Sequence, residues 1–203
     1  MCSTDSDRVR VFERVRDVRY WVDQGDRDSM FRLNKGSCQA KHTFLARRFE
    51  EMGLKIKYLS ARYDWRRQPI PRYLLGLLEP WGYYDYHLAL VMRIADHWIV
   101  VDATWDPPLG FAGFPVNDTW DGFGSMRLAV VPEEVFVPDG ELALPNLVSR
   151  EEFRRHLDPW RTRAESGSPE IKAAARSFSV ALNKWFEGVR KKAREAKRSD
   201  GCR

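Results

Sequence analysis

Apolar residues recur at helical spacing near both ends of the chain. Valines at intervals of four, three and four predict a helix over residues 7–23. Residues 149–152, which begin with serine and end with glutamate, have the form of a capping box and predict a helix through about residue 162. Ser168-Pro169 predicts the start of a last helix, because proline is favoured at the first helical position.

The strands are predicted in the middle of the chain. Residues 54–65 alternate apolar and polar side chains at first, which is typical of a strand. The runs YHLALVMRIA and WIVVDAT, residues 86–95 and 98–104, predict an antiparallel hairpin with a turn at Asp96-His97 and with both faces covered. Helices, then strands, then helices indicate an α+β fold. No linker interrupts the pattern, so we expect a single domain over residues 1–189.

A third helix is predicted in the stretch NKGSCQAKHTFLARRFEEMG, residues 34–53, where Cys38 falls in the first turn and Gly53 follows the last. The free N–H groups and the dipole of a helix N-terminus favour an anion. A thiol is a nucleophile only as the thiolate, so this position suits a reactive cysteine. The alternative is a buried, inert cysteine, and the stretch by itself does not exclude it.

Composition narrows the class of protein. The chain has 203 residues, of which 43% are hydrophobic, enough for one domain with a substantial core. No apolar run approaches the roughly 20 residues of a membrane helix, and the charged first residues do not resemble a secretion signal. Three widely spaced cysteines do not indicate a disulfide framework. We therefore expect a cytoplasmic protein that makes no use of a membrane.

The basic charge of the chain is concentrated at one end. The formal net charge of +5 equals the charge of residues 190–203, RKKAREAKRSDGCR, so the remainder is close to neutral. Such a tail predicts weak, non-specific contact with anions or nucleic acid. The alternative is the solvated end of a helix, without a binding role.

A nucleophilic thiolate needs a base, and the base needs a group that orients it. His87 begins the first strand of the predicted hairpin and Asp102 ends the second. With the turn at residues 96–97, residue 102 lies opposite residue 91, on the same face as His87 but about 13 Å along the strand. A contact between the two side chains would then require a bulge or a wider turn.

The segments around these three residues resemble the transglutaminase-like superfamily, thiol enzymes of the papain-like fold. The resemblance spans about residues 34–105 and includes the phrase WIVVDAT, similar to the family's W-x-x-V-D-x-T. It implies a catalytic Cys at a helix N-terminus packed on an antiparallel sheet, with helices added at both ends of the chain. It also implies that Cys38 is the nucleophile, His87 the base and Asp102 its orienting group. Ala89 departs from the pattern, since many members have an aromatic residue there.

The resemblance implies acyl transfer on amide bonds through a thioester at Cys38, as a peptidase, an amidase or a transglutaminase-type enzyme. It implies a peptide or protein amide as substrate and no cofactor or metal. One alternative is a non-catalytic peptide- or protein-binding module on the same fold. Another is a nucleic-acid-associated protein that acts through its basic tail. The oligomeric state is left open by the sequence.

Further residues are candidates for the same site. Asn34 is a candidate side-chain donor to an oxyanion, beside the backbone N–H of the cysteine. Trp105, Tyr86 and Tyr84 flank the predicted catalytic residues and are candidates to line a substrate cleft, or else to plug the core under long loops. Residues 105–124 form a long loop rich in glycine, proline and aromatic residues, and loops of that length in compact domains are often functional.

The remaining histidines have simpler interpretations. His42 follows Cys38 by four residues, a spacing that could begin a metal site, but no second ligand pair completes it. We therefore expect a packed or hydrogen-bonded helix histidine at this position. His97 is expected in an exposed turn and His156 on the surface of a charged helix.

Overall fold

The computed structural model describes residues 3–22, 26–138 and 143–200, and Cys2 and Cys202 lie outside them. The predicted α+β class is confirmed, with helices packed on a curled antiparallel sheet. The helices are α1 (Ser3–Arg16), α2 (Met30–Leu33), α3 (Cys38–Glu51), α4 (Arg72–Gly76), α5 (Arg150–Ser166) and α6 (Pro169–Asp200). The strands are β1 (Arg19–Tyr20), β2 (Lys35–Gly36), β3 (Ile56–Asp64), β4 (Tyr84–Ile94), β5 (His97–Val101) and β6 (Pro132–Phe136). Within the described residues, no helix combines the length and the apolarity that crossing a bilayer requires.

The four-stranded sheet has the order β5-β4-β3-β6, with antiparallel neighbours throughout. Strand β4 is buried on both faces, as its near-continuous apolar sequence predicts. Ala89 and Val91 pack into a core shared with α6, whereas Leu90 and Met92 pack into a core shared with α1 and α3. Helix α3 and helix α6 therefore lie on opposite sides of the sheet.

The hairpin turn differs from the predicted one. Ile94 pairs with His97, so the turn residues are Ala95 and Asp96, and the prediction of a turn at residues 96–97 is wrong. Ala95 adopts a φ of 50°, a left-handed conformation that alanine does not signal in a sequence. Because the turn lies one residue earlier than predicted, each residue of β5 lies opposite a residue of β4 that is two positions earlier than predicted. Continued beyond its last pair, the register places residue 102 opposite residue 89, two residues from His87, so no bulge is needed.

Helix α1 is shorter than the valine spacing predicts. It ends at Arg16, and the chain continues into β1, which pairs in parallel with β2 just before α3. The backbone oxygen of Arg16 accepts a hydrogen bond from the buried Lys41 Nζ at 3.0 Å, which draws the chain towards α3. Val18 remains buried although it lies outside the helix, and residue 23 of the predicted span lies outside the described residues.

Helix α6 continues past residue 189, where the sequence places the start of the tail. Arg190 is only 1% exposed, and its guanidinium forms a bidentate pair with Asp106, with Nε–Oδ2 at 2.8 Å and Nη2–Oδ1 at 2.6 Å. Nη2 also donates to the backbone oxygen of Tyr20 at 2.9 Å, and Asp106 Oδ1 accepts from the Tyr20 N–H at 2.8 Å. This buried ion pair joins α6, β1 and the loop after β5.

Replacing Arg190 by alanine should destabilise the fold strongly. The change leaves the carboxylate of Asp106 buried without its cation, and breaking a buried pair in this way costs about 3–5 kcal/mol. Chemical denaturation of the wild type and of Arg190→Ala measures the difference in the free energy of unfolding. Lys191→Ala removes the same charge from the neighbouring, exposed position and should leave the unfolding curve in place. Equal effects of the two substitutions would contradict the role of the pair.

Candidate active site

Cys38 is the first residue of α3, as predicted. Ser37 caps the helix: its hydroxyl accepts a hydrogen bond from the backbone N–H of Ala40 at 3.3 Å. Gly36 approaches Met30 so closely that a Cβ there would lie 2.8 Å from the sulfur of that side chain. The thiol is half-buried and lines a cleft, so it combines a helix N-terminus with access from solvent.

The structure brings His87 between Cys38 and Asp102. His87 Nε2 lies 2.8 Å from Asp102 Oδ2, and the Cys38 side chain lies close enough to the same ring to influence its pKa. Because Nε2 bonds the carboxylate, Nδ1 is the ring nitrogen left for the thiol. Thiol, imidazole and carboxylate therefore follow one another, with the thiol at the cleft and the carboxylate buried.

The carboxylate of Asp102 is surrounded by donors. Oδ2 accepts from His87 and from the Ala129 N–H, each at 2.8 Å. Oδ1 accepts from the Thr104 hydroxyl at 2.6 Å and from the Thr104 N–H at 3.1 Å. Burial by itself raises the pKa of this carboxyl, but the charge and the hydrogen bond of His87 hold it well below its usual range. Asp102 is thus a fixed anion beside the imidazole.

That anion sets the charge of His87. Burial lowers the pKa of the imidazole, but the charge of Asp102 outweighs burial, and together with hydrogen bonds to Asp102 and Cys38 it raises the pKa of His87 to about 10. The imidazolium is therefore the form of His87 present at neutral pH. A cationic imidazole stabilises negative charge on a neighbouring sulfur.

His42, which the sequence placed only as a helix histidine, joins α3 to the end of β5. It is fully buried, and its Nδ1 lies 2.8 Å from the backbone oxygen of Cys38. Its Nε2 accepts a hydrogen bond from the Ala103 N–H at 3.0 Å. Nδ1 therefore carries the proton and donates a hydrogen bond to the backbone oxygen of Cys38. Burial lowers the pKa of His42, in agreement with a neutral ring. The ring thereby fixes the nucleophile's helix turn relative to Asp102.

Lys41 makes a second connection of the same kind. Its side chain is fully buried, and Nζ donates to the backbone oxygens of Ala103 at 3.1 Å and of Thr104 at 2.8 Å, besides that of Arg16. Burial lowers the pKa of Lys41 to about 7, with the charge of Asp106 opposing the effect. Three acceptors match the three N–H groups of an ammonium. Sequence reasoning missed Lys41 because a lysine on a helix is normally solvated.

The cleft at Cys38 has a volume of about 330 Å³ and lies between the sheet and the C-terminal helices. Of the predicted cleft residues, Trp105 and Tyr86 line it. Trp105 is buried, with Nε1 donating to the Ala129 oxygen at 2.7 Å, so it forms the floor and also belongs to the core. Tyr84 does not line the cleft; its ring lies under the guanidinium of Arg62 at 3.8 Å.

Asn34 is also placed away from the cleft. It is the exposed C-cap of α2, with a φ of 49°, and its N–H is used by the last turn of that helix. Asn34 is not among the residues that line the cleft, and its role as an oxyanion donor stays a prediction. Gln39, which follows the cysteine, is exposed and lines the cleft instead. No spacing rule in the sequence distinguishes it.

The long loop after β5 supports the site from behind rather than covering it. Asn117 Nδ2 donates to the backbone oxygen of Asp102 at 2.8 Å and to that of Arg127 at 3.0 Å. The loop then returns Ala129 to the Asp102 carboxylate. A loop of this length is therefore needed to supply the donors that hold Asp102.

The remaining histidines are hydrogen-bonded within the protein, exposed, or paired with a carboxylate. Both ring nitrogens of His42 are hydrogen-bonded within the protein, which leaves neither for a metal ion. Across residues 3–22, 26–138 and 143–200, no group of three or more potential ligand side chains is close enough to hold a metal ion. His97 is exposed at the start of β5, and His156 is half-exposed and pairs with Glu134 at 2.8 Å.

The order of groups at the site is that of nucleophilic catalysis: an accessible thiol, a base within hydrogen-bond reach, and a carboxylate that orients the base and stabilises its charge. Neither the comparison with protein-family models nor the comparison with curated proteins gives a match for this chain. The chemistry of the site therefore has to be inferred from its residues and their contacts.

Replacing His42 by leucine should weaken the attachment of α3 to β5. Leucine fills much of the space but leaves the buried N–H of Ala103 without its acceptor, a loss of about 1–3 kcal/mol in the free energy of unfolding. Urea denaturation measures it. Thr43→Ala, at the next position on the outer side of α3, is the matched control and should change the midpoint little. A neutral effect of His42→Leu would show that the bridge contributes nothing.

The charge of His87 predicts a pH dependence of stability. The pKa of this histidine is about 6.5 when unfolded and about 10 in the folded protein, so the folded state holds the proton more tightly. Its contribution to stability is complete below about pH 6.5 and is lost as the pH rises through about 10. The difference in the free energy of unfolding between the wild type and His87→Ala should therefore shrink across that range. His97→Ala controls for loss of an exposed histidine, and a constant difference for His87→Ala would contradict the raised pKa.

Proposed function

We propose that the protein is a thiol-dependent acyl-transfer enzyme of transglutaminase-like type, which acts on amide bonds through a thioester at Cys38. The observation that carries the proposal is the succession Cys38, His87 and Asp102 at the wall of an open cleft, with His87 hydrogen-bonded to the buried carboxylate. A cysteine at the start of a helix that packs on an antiparallel sheet is also the arrangement expected of a papain-like core. Neither of these two observations depends on the amino-acid composition of the chain.

In the proposed mechanism, the proton of the thiol resides on His87 Nδ1 and the Cys38 thiolate attacks the carbonyl carbon of an amide. The tetrahedral intermediate collapses when His87 returns that proton to the leaving nitrogen, and an amine departs. The acyl group remains on sulfur as a thioester. Water or a second amine then attacks the thioester, with His87 accepting the proton of the nucleophile and keeping it as the thiolate leaves, which restores the starting state. Asp102 stabilises the imidazolium in both halves of the reaction.

The oxyanion of each tetrahedral intermediate needs donors beside the nucleophile. The first N–H groups of a helix have no acceptor within that helix, and Cys38 is the first residue of α3. We assign its backbone N–H as one donor. The side-chain amide of Gln39, at the same end of the cleft, is the proposed second donor in place of Asn34.

The two alternatives remain hypotheses with less support. A peptide- or protein-binding module has no need of a buried carboxylate held by four hydrogen bonds behind a histidine. The basic tail keeps exposed cations on α6, including Lys191, Lys192 and Arg194, which suit weak contact with anions. A thiol nucleophile has to stay reduced, in keeping with the cytoplasmic location expected from the cysteine count.

Acylation of the thiol tests the proposal directly. In a Cys2→Ser/Cys202→Ser background, p-nitrophenyl acetate should transfer one acetyl group to the protein, with a burst of p-nitrophenol and a matching mass increase on the peptide that contains Cys38. His87→Ala should slow the burst by about 10²–10⁴-fold, since it removes the general base. Asp102→Asn should slow it as well, because the ring loses its orienting anion.

Iodoacetamide provides the control on the thiol itself. Cys38 should be alkylated at pH 6, where an ordinary thiol, with a pKa of about 8.5, reacts slowly. Cys38→Ala should show neither alkylation nor a burst. If Cys38 reacts only after the protein is unfolded, the proposed function is wrong.

A further inference from the structure

The cleft at Cys38 carries a negative charge of its own among aromatic walls. We propose that it selects substrates with a positively charged organic group, an alkylammonium or similar cation, next to the carbonyl that the thiolate attacks. The inference rests on the proposed function for the identity of the nucleophile. It adds the substrate class, which the resemblance of the sequence leaves open.

Asp85 supplies the charge. It lies on β4 two residues before His87, so both side chains leave the same face of the strand, about 7 Å apart along it. Both line the cleft. Trp65 Nε1 donates to Asp85 Oδ2 at 3.2 Å, and Tyr63, the cross-strand neighbour of Asp85, also forms a side-chain hydrogen bond with it. These contacts hold the carboxylate at a defined place beside the nucleophile.

Several aromatic side chains line the same cleft as this carboxylate. Trp81 and Trp160 meet edge to face with centroids 6.1 Å apart, and Tyr86 packs on Trp160 at 5.2 Å. With Trp65, all of these residues line the cleft. Electron-rich ring faces attract cations, most strongly when the cation is desolvated, and a carboxylate among such rings is a recurring way to bind an ammonium group.

The charge of the cleft is opposite in sign to the net charge of the chain. The protein has a formal charge of +5, which by itself would favour acidic partners. Among the described residues that line the cleft, none is a lysine or an arginine and Asp85 is the only acidic side chain; the positive charge of His87 is balanced by Asp102 behind it. Substrate approaching Cys38 therefore meets a local field that favours cations, whatever the field of the distant surface.

Charged thiol reagents test this selectivity without knowledge of the substrate. The Cys38 thiolate attacks the sulfenyl sulfur of a methanethiosulfonate, forms a disulfide with it and expels methanesulfinate. In the Cys2→Ser/Cys202→Ser background, we would compare the neutral methyl reagent, the cationic trimethylammonioethyl reagent and the anionic sulfonatoethyl reagent. Each rate constant is divided by that for a small free thiol, which removes the reagent's intrinsic reactivity.

The cationic reagent should exceed the anionic one by about tenfold or more after this normalisation. Asp85→Asn should reduce the ratio about tenfold while the neutral reagent keeps nearly its wild-type rate. Asp96→Asn is the matched control: it removes the same charge from the hairpin turn, where the side chain is 99% exposed, and should leave the ratio unchanged. Trp160→Leu removes one aromatic wall but no charge, so it should lower the ratio by less than Asp85→Asn does. It provides a second test if the Asp85→Asn protein fails to fold.

The outcomes separate this inference from the proposed function. If even the neutral reagent fails to modify Cys38 in the folded protein, the nucleophile and the proposed function are overturned together. If the neutral reagent reacts but the normalised ratio is near one, or is unaffected by both Asp85→Asn and Trp160→Leu, cation selectivity alone is overturned. A ratio that falls in the Asp85→Asn protein and also with rising salt supports it.

Discussion

Helix α3 is attached to the end of β5 by two successive buried side chains, and the position of Cys38 depends on that attachment. Lys41 donates to the backbone oxygens of Ala103 and Thr104, and His42 accepts from the N–H of Ala103. The cysteine and Asp102 belong to different elements, so no local rule fixes their distance. The hydrogen bonds on either side of Ala103 do so, and His87 then has only one place between them.

The attachment places the buried side chain of Lys41 near two buried carboxylates, those of Asp106 and Asp102. Lys41 alone would be expensive to bury, but it is compensated by Asp106 and Asp102, each of which has a second cation in Arg190 or His87. Charges of alternating sign therefore run from α6 through α3 to the cleft. Such an arrangement tolerates little change at any one member, because each removal leaves a partner buried and uncompensated.

Much of the fold was predictable because it follows local rules. Observed elements correspond to the valine spacing near the N-terminus, the capping box at Ser149 and the apolar hairpin. The errors occur where tertiary contacts decide. Helix α1 ends early because Lys41 bonds its last carbonyl, and the hairpin turn is misplaced because Ala95 adopts a conformation that its side chain does not favour.

The candidate site divides in the same way. The sequence singled out Cys38, His87 and Asp102 by their place in their elements and by a family pattern, and the structure brings these residues together. Asn34 does not line the cleft: it is an exposed left-handed cap just before a two-residue strand, a placement that spacing cannot reveal. Asp85 was overlooked, since one acidic residue before a predicted base is uninformative until Trp65 and Tyr63 are placed beside it.

Helix α6 has a consequence for the order in which the site is completed. Its residues Ala175, Phe178 and Ser179 form one wall of the cleft, and its Arg190 pairs with Asp106 across 84 positions of sequence. During synthesis, the cysteine, the hairpin and the loop behind Asp102 all leave the ribosome before this wall exists. A nascent chain thus lacks this wall of the cleft beside Cys38 until α6 has been synthesised.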